Sequence, residues 1–256
     1  MNNLVSGITL VKVFRQLFCV FILMSAGCLH YGSKVNSYNQ SIQKDSSIQE
    51  TAETRINWNV EFSEDFSGFD INSEPESIFI LDGEYTVQNE DGNNKCLSLP
   101  GSPMGDFGLL FGPREREKPL ELSFSFYASK KGRRMPSIAA SIGGVRGYKL
   151  RLNPAARNLV LSMDETVFKE MPFSWEGEQW WNVRFRALCG NSIQTTRLRC
   201  KLWPTNQKEP NEWLVNEEFF TEYIGGKCAL WGFPYASTPI LFDDLVIRSK
   251  SNPYPQ

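Results

Sequence analysis

The sequence predicts an all-β fold, a two-sheet antiparallel jelly-roll sandwich, over residues 56–250. Short segments of alternating apolar and polar residues recur along this range, and turns rich in Gly, Pro and Asn separate them. No segment keeps the periodicity of an amphipathic helix for three turns. Regularly spaced short strands are typical of sandwiches and jelly rolls, and about 200 residues suit one such domain.

The alternation also places individual strands. From Ile56 to Phe62, apolar residues alternate with polar ones, which is the pattern of a half-buried strand. The tight-turn pair Asp82-Gly83 separates two further candidates, residues 77–81 and 84–88. The remaining candidate strands are residues 120–127, 137–142, 147–152, 159–163, 179–188, 195–203, 213–219, 229–232 and 239–248.

The amino terminus has the layout of a secretory signal. Lys12 and Arg15 precede a short apolar run, residues 17–24, and small residues then lead to Cys28. The run is too short to remain as a membrane-spanning helix. This segment resembles a bacterial lipoprotein signal, in which Cys28 would become the lipidated first residue. Leu29 after the cysteine resembles outer-membrane lipoproteins, so we expect export and anchoring to the outer membrane or cell surface rather than the inner membrane.

The composition divides the chain into four parts. Residues 1–27 form the predicted signal peptide. Residues 28–55 are rich in Ser, Gln, Asn and Lys and have hardly any periodic apolar residues, which predicts a flexible tether. The sandwich domain follows over residues 56–250, and residues 251–256 form a short tail.

Charge and histidine content exclude several functions. The formal net charge of −2 gives no overall electrostatic reason to bind nucleic acid. The single histidine, His30, lies in the tether. Catalysis by Ser-His-Asp or Cys-His groups is therefore excluded from the folded domain, as are histidine metal sites. Any catalysis would depend on carboxylates, Tyr, Lys or Arg.

Four of the six cysteines lie in the predicted domain. The number is even, and export would place them in an oxidising compartment, where disulfides can form. Cys96, Cys189, Cys200 and Cys228 allow three pairings, which the sequence alone does not separate. Cys189 and Cys200 lie near mirror positions of a predicted hairpin and are the favoured pair. The alternative is that some of the four are buried free thiols.

Several segments together carry a family resemblance. The first is residues 62–68 (FSEDFSG) and the last is residues 240–247 (ILFDDLVI), with residues 180–186 (WWNVRFR) and 202–204 (LWP) between them. The chain from about residue 56 to 250 resembles the concanavalin A-like, laminin-G-like jelly rolls of bacterial surface proteins. The resemblance implies that the first and last strands pair. It further implies frequent glycan binding and an occasional structural calcium, with a minority of the family acting as glycoside hydrolases or polysaccharide lyases.

Paired terminal strands would bring four carboxylates together. Glu64 and Asp65 would then lie close to Asp243 and Asp244. Such a group repels itself unless a proton or a cation neutralises it, and calcium prefers several oxygen ligands. We therefore predict a structural calcium at these four acids. The alternative is that they accept hydrogen bonds from loop amides or face water.

Alternation also predicts a basic sheet face. Val183 and Phe185 point to the opposite side of their strand from Arg184 and Arg186, and the strand at 195–203 repeats this arrangement. Arginine matches carboxylates and sulfates, and indole rings can stack on sugars. We predict a groove for an acidic polysaccharide. The residues assigned to it are Arg184, Arg186, Arg197, Arg199, Trp203 and Arg151. The alternative is an ordinary solvated face whose cations pair with acids such as Glu121.

The function that these patterns favour is a membrane-anchored, exported, lectin-like module that binds glycan without catalysis. One alternative is a lyase or hydrolase of acidic glycans. Tyr148 beside Lys149 and Arg151 offers a possible lyase base, whereas the Glu-x-Asp-x-x-Glu pattern of jelly-roll glucanases is missing from the sequence. A second alternative is a structural or protein-interaction module of the cell envelope.

Overall fold

A computed structural model describes residues 58–250, except residues 91, 93 and 104. The predicted signal peptide, the lipidation site at Cys28, the tether and the tail lie outside the described residues, so these expectations stay predictions, as do the bounds of the domain. The described part of the chain offers no helix with the length and apolar character that crossing a membrane requires.

The described residues form fifteen β-strands and no α-helix. In chain order they are β1 (Asn59–Glu64), β2 (Ile78–Ile80), β3 (Thr86–Asn89), β4 (Lys95–Leu99), β5 (Phe107–Glu115), β6 (Leu120–Ala128), β7 (Ser137–Ile142), β8 (Tyr148–Asn153), β9 (Asn158–Met163), β10 (Thr166–Pro172), β11 (Trp180–Cys189), β12 (Thr196–Pro204), β13 (Val215–Phe219), β14 (Gly226–Phe233) and β15 (Ile240–Ser249).

Two antiparallel sheets pack face to face, as a jelly-roll sandwich requires. The eight-stranded sheet has the order β13-β12-β11-β6-β15-β4-β3, with β1 also paired to β15. The seven-stranded sheet has the order β10-β9-β8-β7-β14-β5-β2. The inward-facing residues of both sheets form one continuous apolar core. The predicted fold class is therefore confirmed.

The first and last strands pair, as the family resemblance implies. One edge of β15 is shared: β4 pairs with Ile240–Phe242, and β1 pairs with the stretch that begins at Leu245. Between them, the register of β15 against β6 shifts between Asp243 and Val246, which marks a β-bulge, and Asp244 within it has a positive φ of 51°. The extra residue reverses the alternation, so that both halves of β15 direct apolar side chains into the core.

Most predicted strands are present within one or two residues of their expected ends. The Asp82-Gly83 turn does not connect two paired strands, because β2 pairs with β5 in one sheet and β3 pairs with β4 in the other. The turn therefore carries the chain between sheets and does not close a hairpin. At the amino end, a register shift between Val60 and Phe62 leaves the Val60 side chain 59% exposed, contrary to the alternation expected there.

The prediction of a disulfide between Cys189 and Cys200 is wrong. Cys189 lies opposite Thr196 in the β11–β12 pair, and Cys200 lies opposite Phe185, so the two cysteines are four positions out of register. All four cysteines of the described domain are free thiols. Burial raises the pKa of Cys200 to about 12 and also raises the pKa of Cys228. The alternative of buried free thiols describes these residues correctly.

Candidate functional site

The predicted basic face is the outer face of the eight-stranded sheet, and its centre is an ion-pair cluster around Glu121. This carboxylate on β6 is only 1% exposed. It pairs with Arg184 at 3.2 Å, with Arg186 at 2.5 Å and with Arg248 at 3.3 Å. Arg184 also reaches Glu209 at 3.0 Å. The register makes these contacts, because Glu121 lies directly opposite Arg186 on β11 and Arg248 on β15.

The basic residues of β12 are also engaged by the protein. Arg197 pairs with Glu218 at 2.9 Å. Arg199 donates to the side-chain oxygen of Asn216 at 2.8 Å. Lys201 donates to the Pro210 carbonyl at 2.7 Å, and its ammonium nitrogen lies 4.6 Å from the centroid of the Trp213 ring. These cations are partnered inside the fold before any ligand arrives.

Trp213 covers this face. The guanidinium carbons of Arg186 and Arg199 lie 4.7 and 5.8 Å from its ring centroid, and Trp58 lies 4.8 Å from Arg186. Trp58 therefore belongs to the outer face and not to the core in which alternation places it. Trp203 is half-buried at the edge, opposite Asn182. Ligand binding by this face stays a prediction, and the geometry is that of a neutralised scaffold.

Arg151 does not belong to this face, which corrects the predicted grouping. It lies on β8, in the seven-stranded sheet, and it points outward on the far side of the sandwich. There it meets residues of β14 whose role the sequence does not reveal. We call this group the aromatic platform, and it consists of Trp231, Phe233, Lys149 and Arg151.

Two cation–ring stacks build the aromatic platform. The Lys149 ammonium lies 4.2 Å from the centroid of the Trp231 ring, and the Arg151 guanidinium lies 4.1 Å from that of Phe233. Strands β8 and β14 flank β7 on opposite sides, so each cation reaches diagonally across β7 to its ring. Attraction to the ring faces holds both long side chains over the sheet.

Small residues make room for the large rings. A Cβ added at Gly108, directly opposite Trp231 on β5, would stand 2.7 Å from the indole nitrogen. On the other side, Ala139 of β7 lies opposite Trp231. Ala139, Ala229 and Trp231 form a small apolar cluster outside the main core, against which Leu110 and Phe233 pack. The rings of the platform are therefore packed against the sheet and held in fixed positions.

The two cations of the platform differ from the basic residues of the eight-stranded sheet, which are neutralised by glutamates. Neither Lys149 nor Arg151 forms an ion pair within the described part of the chain. The Nε of Arg151 is buried and has no hydrogen-bond partner among the described residues. Burial lowers the pKa of Lys149, and the nearby charge of Arg151 lowers it further, while Asp106 and Asp164 act weakly in the opposite direction. This site would gain from an anionic ligand.

The four acids predicted to hold calcium are placed near the β15 bulge, but their oxygens already accept hydrogen bonds. Glu64 accepts from the Phe66 amide, and Asp65 accepts from the amide and the hydroxyl of Ser67. Asp243 accepts from the Asn94 side chain at 2.9 Å and from the next amide along the chain at 2.8 Å.

Asp244 accepts from Ser125 at 3.1 Å. Among the described residues, no three acids, cysteines or histidines come together as metal ligands. Burial raises the pKa of Asp243 to about 6, and the charges of Asp244 and Asp65 add to this. The calcium site at these four acids stays a prediction.

Tyr148 lies in the core and cannot act as a surface base. It is fully buried, and its hydroxyl donates to the Glu222 carbonyl at 2.6 Å and accepts from the Ile224 amide at 3.0 Å. Burial raises its pKa. The proposed lyase base is therefore wrong, although Lys149 and Arg151 beside it in sequence point to the other side of the sheet.

The fold is the concanavalin A-like sandwich of several solved lectin domains. The metal-free carbohydrate recognition domain of Emp46p matches with a TM-score of 0.53 and 10% identity, over 78% of this chain and 100% of that domain. The metal-free exoplasmic/lumenal domain of VIP36 matches with a TM-score of 0.51 and 9% identity, again over 78% of this chain and 100% of that one. At these identities the likeness shows the fold alone. No model of a known protein family and no curated protein matches the sequence.

Proposed function

We propose that this chain is an exported, lipid-anchored, lectin-like module that binds acidic glycan at the aromatic platform. The observation that carries the proposal is the pair of cations, Lys149 and Arg151, held over two aromatic rings with no ion-pair partner among the described residues. Guanidinium and ammonium groups bind carboxylates and sulfates. The two aromatic rings hold these cations in place over the sheet.

The fold supports a glycan as the ligand class. The Emp46p domain that this sandwich resembles is described as a carbohydrate recognition domain. The formal net charge of −2 means that attraction to an acidic ligand must come from a local group of cations. The aromatic platform is such a group, whereas the basic residues of the eight-stranded sheet are balanced by Glu121, Glu209 and Glu218.

Export and anchoring rest on the amino-terminal sequence. The apolar run before Cys28 and the polar segment after it support a lipidated domain on a flexible tether at the outer membrane or cell surface. A Cys28→Ser change should release the protein from the membrane fraction, and retention of that variant in the membrane would contradict the anchor.

A glycan array tests the binding proposal. We expect the wild-type protein to bind carboxylated or sulfated glycans, and we expect the double variant Lys149→Ala, Arg151→Ala to lose that binding. Lys208→Ala is the matched control, because Lys208 is exposed in the β12–β13 connection of the other sheet. Binding that survives in the double variant would overturn the platform as the site.

The same preparation separates the catalytic and structural alternatives. Release of reducing sugar, or absorbance from new double bonds, would indicate a hydrolase or a lyase. Saturable glycan binding without either signal supports the lectin-like module. Copurifying envelope proteins without glycan binding would indicate an interaction module. With Tyr148 buried, no described residue favours the lyase over simple binding.

A further inference from the structure

A basic cleft lies at one end of the seven-stranded sheet, where β14 begins. Its volume is about 830 Å³, within the range of small-ligand sites. Four cationic side chains line it: Arg114, Arg116, Arg146 and Lys227. No Asp or Glu is among the described residues of the lining, which distinguishes this cleft from the Glu121 cluster on the opposite sheet.

A β-bulge opens the cleft. Gly226 pairs with Glu115 and Cys228 pairs with Phe111, so three residues of β5 lie opposite Lys227 alone. The surplus residues bend the end of β5 away from β14. The Lys227 ammonium donates to the carbonyl of Gly112 inside this bulge at 2.7 Å, which fixes its position at the cleft wall.

The floor of the cleft is backbone. Gly144 has a φ of +80°, its amide donates to the Lys227 carbonyl at 2.7 Å, and nothing lies within 4 Å of where its Cβ would stand. Gly226 has a φ of +150°, and a Cβ there would come within 3.1 Å of Gly143. Glycine thus allows close backbone packing below an open space that the arginines surround.

The cations of the cleft are held together at an electrostatic cost. Glu115, between Arg114 and Arg116 in sequence, pairs with Lys118 at 3.0 Å and does not line the cleft. Arg114, Arg116 and Arg146 form no ion pair in the residues that the structure describes. Like charges gathered around one space repel, and a bound anion would relieve that repulsion.

The cleft is continuous with the aromatic platform. Leu110 lines the cleft and also packs against the cluster that contains Trp231. Lys227 and Phe233 lie six residues apart on β14, and with alternation both face outward. At about 3.3 Å per residue, they are separated by roughly 20 Å along the strand.

We infer that the basic cleft is a second binding site, for sulfate or carboxylate groups of a polyanionic glycan that extends along β14 from the aromatic platform. The inference rests on the proposed function in taking a glycan as the ligand. It adds that the ligand carries several oxyanions along its length. Planar guanidinium groups bind such oxyanions with two parallel hydrogen bonds.

Chain length is the property that tests this arrangement. A sulfated octasaccharide can occupy both the cleft and the platform, and a sulfated disaccharide can occupy only one of them. Contacts on one continuous ligand reinforce each other. We expect the double variant Arg116→Gln, Arg146→Gln of the full protein to bind the octasaccharide at least about ten-fold more weakly, since hydrogen bonds to charged groups contribute strongly to affinity.

Arg133→Gln is the matched control and should bind as the wild type does, because Arg133 is exposed at the opposite end of β7 from the cleft. The desulfated octasaccharide should bind weakly to all three proteins. A thermal melt of each variant confirms that the fold is retained. Added salt should weaken wild-type binding more than binding by the cleft variant, because fewer charges remain in the variant.

The outcomes separate this inference from the proposed function. Octasaccharide affinity that falls only in the Lys149→Ala, Arg151→Ala variant overturns the cleft and leaves the platform. Affinity that falls only in the cleft variant supports the cleft and overturns the platform. Equal binding of sulfated and desulfated chains overturns the oxyanion role. Vesicles of anionic phospholipid present the same oxyanion chemistry on a lipid surface. If the cleft variant loses binding to these vesicles while its glycan binding is unchanged, the inference is also overturned.

Discussion

The guanidinium carbon of Arg151 lies 4.1 Å from the centroid of the Phe233 ring, and the Nε of Arg151 is buried without a hydrogen-bond partner among the described residues. Arg186, on the opposite sheet, also stacks on an indole, yet its Nε donates to Glu121 at 2.5 Å. The two arginines are alike in sequence context, since each alternates with apolar residues on a strand. Of these two arginines, only Arg151 has no acidic partner among the described residues.

The Glu121 cluster is predicted to stabilise the fold. Glu121→Ala should lower the free energy of unfolding by about 3 kcal/mol, because it leaves several arginines on a sheet face without their shared carboxylate. Urea denaturation measures this. Glu217→Ala is the control, since Glu217 makes only a surface ion pair with Lys169, whose loss should cost at most about 1 kcal/mol. Equal effects of the two changes would contradict the structural role of Glu121.

Substituting basic residues on the outer face of the eight-stranded sheet should lower stability but leave ligand affinity unchanged. The double variant Arg184→Ala, Arg199→Ala is expected to unfold at lower urea concentration, because both side chains hydrogen-bond within the fold. Its affinity for acidic glycan, measured by titration calorimetry below the unfolding temperature, should equal that of the wild type. A selective loss of affinity in this variant would place the binding site on the predicted basic face of the eight-stranded sheet.

The raised pKa of Asp243 predicts a pH-dependent stability with a definite sign. The folded protein holds this proton up to a pH of about 6, whereas the ordinary pKa is 3.8. Between these values the folded state binds more protons than the unfolded state, so stability falls as the pH rises. The free energy of unfolding should fall by about 3 kcal/mol across this range. Asp243→Asn should flatten this part of the profile, and a wild-type profile already flat from pH 4 to 6 would contradict the assignment.

Calcium at Glu64, Asp65, Asp243 and Asp244 stays a prediction from the sequence. In the described arrangement these acids accept hydrogen bonds from Phe66, Ser67, Asn94 and Ser125. Calcium bound at these acids should raise the melting midpoint at neutral pH, and a midpoint that is the same in calcium and in chelator would remove the metal site. A midpoint that rises with calcium, and fails to rise in Asp243→Asn, would establish the metal site and show that these side chains rearrange around it.

The fold was predictable because alternation is a local property. Strands such as β8 and β11 alternate clearly between inward and outward residues, and their ends follow from the turn residues beside them. Strands β4, β5 and β10 were missed. In β5 the run of apolar residues is broken by Gly108, Gly112 and Pro113, so it lacks a period of two.

The candidate site is only partly predictable from the sequence, because it depends on the order of strands in a sheet. Arg151 was identified as a candidate, but local alternation does not show that β8 lies in a different sheet from β11. Trp231 falls in a predicted strand, residues 229–232, but local alternation does not show that its ring lies beside Lys149. The basic cleft forms at a bulge that brings Arg114 near Arg146, residues on separate strands and turns. The spacing of outward residues on β14, from Lys227 to Phe233, is the signal that could have indicated this surface.

Binding of sulfated glycan at the aromatic platform can be tested through the pKa of Lys149. NMR of the Lys149 side chain follows this pKa during titration with a sulfated octasaccharide. In the free protein, burial and the charge of Arg151 hold this pKa below its ordinary value. An oxyanion bound over the platform favours the charged ammonium, so we expect the pKa of Lys149 to rise on saturation with the sulfated chain and to stay unchanged with the desulfated one. A pKa that does not move while the sulfated ligand binds would contradict the platform as the site.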